Sequence, residues 1–208
     1  VKNFLAQSIS VLFQPLIMPS YLFLVLLLFA QTGLPDWTSQ TSMLVLAIVF
    51  LTTFIVPVLS LLALKYTGSI RGDFFMGERR ERVLPFVFIS LYYGLTAYLF
   101  STKLVFISPL LVAGIQTLAI LIAVLTIITF FWKISAHAMA MGGTLGMLIA
   151  VQLEISLVKL VWPIMICAAL SGLVMTSRLY LKAHEPAEVW VGFFTGLGLC
   201  YFGINILN

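Results

Sequence analysis

The chain has 208 residues, 62% hydrophobic and only 9% charged, with a formal net charge of +4 and a mean hydropathy of +1.16. Soluble domains run at about 45–50% apolar and about 25% charged residues, so this composition excludes an ordinary soluble enzyme and points to a single integral membrane domain over residues 1–208. The eleven basic residues are scattered between apolar runs, which argues against nucleic acid as a partner, and Cys167 and Cys200 both lie inside such runs, where cysteine behaves as a small hydrophobe.

A bilayer core takes about 20 mostly apolar residues per helix. Seven runs qualify, predicting an all-α, polytopic transmembrane helix bundle of six to seven helices. The first covers roughly residues 11–30, with Pro15 and Pro19 near its start. It is long enough to span and has no small-residue cleavage site, so it reads as a retained helix and not a signal peptide. The second, roughly 42–64, contains Pro57 and is expected to kink there, which neighbouring helices tolerate in a membrane. A polar loop is predicted over 65–82. The remaining spans fall at roughly 83–100, 106–132, 136–153, 156–179 and 186–207, with no repeat, low-complexity tract or soluble domain.

Alternation of these spans puts the segments after the second, fourth and sixth on one face. That face then carries Lys2, Lys65, Arg71, Arg79, Arg80, Arg82, Lys133, Arg178 and Lys182, nine of the eleven basic residues, together with both histidines; Lys103 and Lys159 lie opposite. The positive-inside rule alone would make the charged face cytoplasmic, but with the candidate site residues Arg79, Arg80, Arg82, Lys133 and Arg178 set aside the bias falls to four against two and leaves the side open; the expected location is a bacterial inner (plasma) membrane. The ionisable groups are also ordered along helix ends. Ser135 is placed to cap the fifth span with His137 in its first turn, and Pro186 is placed at the first position of the seventh with His184 just before it. Two helix N-termini with free N–H groups, beside guanidinium groups, suit an anion such as a phosphoester.

Ser177-Arg178, five residues, His184, three residues and Glu188, followed by Gly192 and Gly196, resembles the third motif of the type-2 phosphatidic acid phosphatase (lipid phosphate phosphatase) superfamily, S-R-x5-H-x3-D with a G-x3-G continuation. Ser135-Ala136-His137 resembles its second motif, P-S-G-H, with Ile134 and Ala136 in place of Pro and Gly. The 47-residue separation of the histidines, filled by two spans, also fits the family layout, and the matches cover roughly the C-terminal 75 residues.

The resemblance implies the phosphatase/haloperoxidase-like helical core and a phosphohydrolase that uses no metal and no cofactor. Its substrate would be a lipid-linked phosphate, such as a polyprenyl diphosphate, phosphatidate or phosphatidylglycerophosphate, entering laterally among membrane lipids. His184 would be the nucleophile, forming a phosphohistidine. Glu188 would orient it through one ring nitrogen, and His137 would serve as general acid. Arg178 and Ser135 would hold the phosphoryl oxygens.

Other roles stand beside these. Glu188 falls where a capping side chain would sit, Ser135 serves equally as an N-cap alone, and glycines 142, 146, 192 and 196 suit close helix packing. The family's first motif, K-x6-R-P, has no counterpart, and no Arg-Pro dipeptide occurs. Arg79, Arg80, Arg82 and Lys133 are the candidate phosphate clamps in its place, although Glu78 and Glu81 are interleaved with the arginines and could pair with them. That departure keeps a second expectation open, a catalytically impaired family member acting as a structural or lipid-binding subunit of a larger membrane complex. A small transporter with an anion site fits less well, because no ionisable residue lies deep within a span.

Overall fold

In a bilayer the backbone cannot bond to water, so a chain this apolar must satisfy its N–H and C=O groups within helices. The computed structural model describes residues 2–30, 39–68, 79–104, 107–154 and 160–207, with the side chains of Lys2, Arg79 and Arg80 outside the description. Its helices are α1 (Lys2–Leu12), α2 (Met18–Phe29), α3 (Gln40–Phe50), α4 (Val56–Tyr66), α5 (Arg79–Thr102), α6 (Pro109–Phe131), α7 (Ala136–Glu154), α8 (Val161–Tyr180) and α9 (Pro186–Leu207). Among the described residues, six helical stretches are long and apolar enough to cross a membrane: 40–66 and α5 to α9. Their outward faces are apolar, with Leu91, Leu95, Met165, Leu173, Phe194 and Phe202 all exposed, as lipid-facing positions require.

The expected first span is divided. Residues 13–17 separate α1 from α2, each too short to cross alone. Pro15 lacks the N–H that would continue α1, its ring opposes the carbonyl four residues earlier, and Pro19 then sits in the first turn of α2. Pro57 acts differently. The helix runs on from Gln40 to Tyr66, and a π-helical turn at Leu51–Ile55 stands immediately before the proline. The wider turn relieves the clash between the ring and the carbonyl of Thr53.

The predicted 65–82 loop is shorter at both ends, since α4 reaches Tyr66 and α5 begins at Arg79. Arg and Glu are good helix formers, and Glu81 in the first turn complements the helix dipole. Arg82 therefore belongs to a helix and has a fixed direction. The predicted starts at 106 and 156 lie outside the described residues; the helices there are seen from Pro109 and Val161.

α7 is the axis of the bundle, 67% buried against 22–50% for the other spans. It lies directly on α9. A Cβ on Gly142 would collide with the carbonyl of Phe193, one on Gly146 with that of Leu197, and one on Gly196 with that of Met139. Small residues at an interface let two backbones meet, which is how membrane helices gain packing energy when burial from water is no longer the driving force. Polar ties help elsewhere: Ser60 and Tyr92 share a hydrogen bond of 2.6 Å between α4 and α5, and Ser90 and Thr126 one of 2.7 Å between α5 and α6. Such bonds average about 0.6 kcal/mol each. Because α7 and α9 are parallel, with the Ser135 N–H donating to the Glu188 carbonyl at 3.1 Å, their N-termini share one face of the bundle.

Candidate functional site

The chain between α8 and α9 is a compact turn. Ala183 N–H donates to the Arg178 carbonyl at 3.1 Å and Lys182 N–H to that of Leu179 at 2.9 Å, while Lys182 has φ +50°. This is a Schellman stop with lysine in the left-handed position that usually falls to glycine. Five residues between Arg178 and His184 are what such a turn uses to fold the chain back over the last turn of α8.

α9 then starts at Pro186, and Glu188 occupies its third position. The carboxylate Oε2 accepts from the Glu185 N–H at 3.3 Å, closing the helix end, and from His184 Nδ1–H at 2.6 Å. Capping and histidine orientation are thus two functions of one oxygen. With its proton at Nδ1, the neutral imidazole carries its lone pair on Nε2, and this nitrogen faces Arg82 Nη1 at 3.4 Å. His184, Glu188, Arg82 and Arg178 are each more than nine-tenths buried. His184 is held well below the usual histidine range, first by burial and then by the positive charges of Arg82, Arg178 and Lys133 and by His137.

Ser135 is fully buried, and its hydroxyl accepts the Ala138 N–H at 3.4 Å as the cap of α7. Ser135 thus caps α7, and it is not among the described residues that line the cavity holding His184. His137 lies in the first turn of α7, and its Nε2 is 3.0 Å from the carbonyl of Ser10 in α1. A carbonyl only accepts, so this nitrogen carries the proton and Nδ1 is the one available to a ligand.

His137, His184, Arg82 and Arg178 line one cavity of about 150 Å³, whose other walls are Gln14 and mostly apolar residues that include Pro15, Phe86, Ile89, Tyr93, Ile122 and Leu125. A smaller space of about 40 Å³ continues from it between Pro15, Pro19, Tyr93 and Leu125 and the α7 residues Ala136, Met139 and Ala140. On the other side of the arginines lies a second cavity, of about 350 Å³, where Lys133 is found. Arg178 Nε is buried with no hydrogen-bond partner among the described residues.

Of the residues singled out from the sequence, His184, Glu188, Arg178, His137 and Arg82 converge, and Lys133 stands nearby. The side chains of Arg79 and Arg80 lie outside the described residues. Ser10 and the break at Pro15 were not singled out as site components, because no local pattern marks α1 as a neighbour of α7. Lys182 was signalled only weakly, by the length of the turn.

No protein-family model, curated protein or solved structure matches this chain.

Proposed function

We propose that the protein is a membrane phosphohydrolase that removes phosphate from an amphiphilic lipid phosphate through a phosphohistidine. The observation that carries the proposal is the disposition of His184: Nδ1–H engaged by Glu188 at 2.6 Å and Nε2 directed into a cavity with two buried arginines. The resemblance of the surrounding residues to the type-2 phosphatidic acid phosphatase motifs supports the same reading.

In this scheme the Nε2 lone pair attacks phosphorus and the bond from phosphorus to the lipid oxygen breaks. Glu188 stabilises the positive charge that develops on the imidazole. Arg82 and Arg178 take the charge of the phosphoryl oxygens, guanidinium groups being suited to bidentate recognition. His137 would take up a second proton when the negative charge of the bound phosphate stands beside it, stay bonded to Ser10 through Nε2–H, and give its Nδ1 proton to the departing alkoxide. A water deprotonated by His137 then attacks phosphorus, releasing phosphate and regenerating His184. The apolar walls from Phe86 to Leu125 would take the first part of the lipid chain.

The experiment is phosphate release from polyprenyl diphosphate and phosphatidate by the purified full chain in detergent, with chelator present. Acid-labile labelling of the protein by substrate should vanish in His184→Ala, and turnover surviving in that variant would reject the nucleophile. The rival reading, a lipid-binding subunit without turnover, is favoured by the engagement of His137 Nε2 with a backbone carbonyl. It predicts saturable binding of the same lipids with no release.

A further inference from the structure

The cavity beyond the arginines has a chemistry of its own. Gln7, Ser10, Arg82, Lys133, Arg178 and Lys182 supply its polar lining, and no acidic residue appears among its described walls. Four cations around about 350 Å³ form a site for more negative charge than the His184 cavity alone would receive. Two of its lining residues, Arg178 and Ser10, also carry a buried polar atom, Nε and Oγ, with no hydrogen-bond partner among the described residues. Leaving such groups unsatisfied is costly unless a ligand completes them. Arg82 and Arg178 line both cavities, so the two spaces meet at the guanidinium pair.

We infer that this second cavity is a binding site for a second phosphate group, held by Lys133 and Lys182 on its far side and sharing Arg82 and Arg178 with the group beside His184. The inference rests on the proposed function for the identity of the first phosphate, but binding itself needs no turnover. One ligand chemistry has two sources here. The second group is either the other phosphate of a lipid diphosphate or a free inorganic phosphate.

The test is calorimetric titration of the full chain in detergent with inorganic phosphate and with inorganic pyrophosphate. It uses the wild type, Lys182→Asn, Lys133→Gln and the double variant. Asparagine accepts the left-handed conformation at position 182, so the turn survives without the charge, and an unchanged melting midpoint verifies this. If the groups are tethered, pyrophosphate binds at least about tenfold more tightly than phosphate, and the double variant removes most of that preference. If the second group is free, two phosphates bind per chain, pyrophosphate has no advantage, and the double variant reduces the number to one. At most one phosphate per chain, with no preference for pyrophosphate and no response to the double variant, overturns the inference. Second-phosphate binding without turnover of any lipid phosphate would leave the site standing and reject the hydrolase; turnover without it does the reverse.

Discussion

Arg82 and His184, 102 positions apart in the chain, stand with Nη1 3.4 Å from Nε2. The contact places a guanidinium from the start of α5 against the one ring nitrogen that Glu188 leaves available. On the proposed function it would supply in space the cation for which the chain has no Arg-Pro motif.

Replacing that guanidinium should be expensive. For Arg82→Ala we expect kcat to fall about 10²–10³-fold, the usual cost of losing one preorganised group that stabilises charge in the transition state. Arg82→Lys keeps the charge but not the bidentate fork and should recover only part of the loss. Phosphate release at saturating lipid is the measurement, and wild-type turnover in Arg82→Ala would remove Arg82 from the site.

The pH dependence follows from burial and from the cations that face His184. On the proposed mechanism the nucleophile is the neutral imidazole, so depressing its pKa extends activity toward acid. The acid limb of kcat/KM that belongs to His184 should lie below the ordinary value of about 6.5. Arg82→Gln removes one of the depressing charges and should move that limb upward in whatever activity remains. The unfolded chain binds a proton at His184 that the folded chain resists. This contribution to stability is therefore fully present above about pH 6.5 and declines as pH falls through and below that value. A pH series of melting midpoints for wild type against His184→Gln checks it.

Glu188 reaches both the Glu185 N–H and His184 from the third position of α9. Glu188→Asp shortens the side chain by one methylene from the same backbone site, and the 2.6 Å bond to Nδ1 should be lost. We expect kcat to fall at least about tenfold. Glu188→Gln retains the reach and the cap but not the charge, so it should keep the melting midpoint while lowering kcat. An aspartate variant as active as wild type would mean that the carboxylate does not act by orienting His184 in this way.

The α7–α9 contact predicts a contrast among glycines. Gly142→Ala and Gly196→Ala each drive a methyl into a facing backbone carbonyl and should destabilise by at least about 1–3 kcal/mol. Gly172→Ala and Gly198→Ala meet nothing within 4 Å and should be neutral or stabilise by about 0.4–1 kcal/mol through the unfolded state. Thermal melts of the four variants in one detergent decide the matter. Since the same contact sets Ser135 against Glu188, the first pair should also lose activity where folded protein can be isolated.

By itself the sequence determined the apolar spans and the local half of the site. Runs of about 20 apolar residues have no stable alternative to helices in a bilayer, and six such stretches are present among the described residues. From Arg178 to Glu188 every relation is a short-range one, a helix stop followed by a helix start, so residue spacing alone carried it. Tertiary structure decided the rest. Whether a basic residue near position 80 meets His184 depends on where α5 begins and on its rotation against α6, and a helix turns about 100° per residue; the side chain that arrives among those described is Arg82. The division of the expected first span at Pro15 brought Ser10 to His137 and walls to the cavity. Prolines at 15 and 57 look alike in the sequence, yet one ends a helix and the other sits beyond a π turn, because the outcome depends on neighbours that a local pattern does not contain. Contacts separated by 102 and 127 positions arise only when packing closes the bundle, and the chemistry of the site is assembled by that closure.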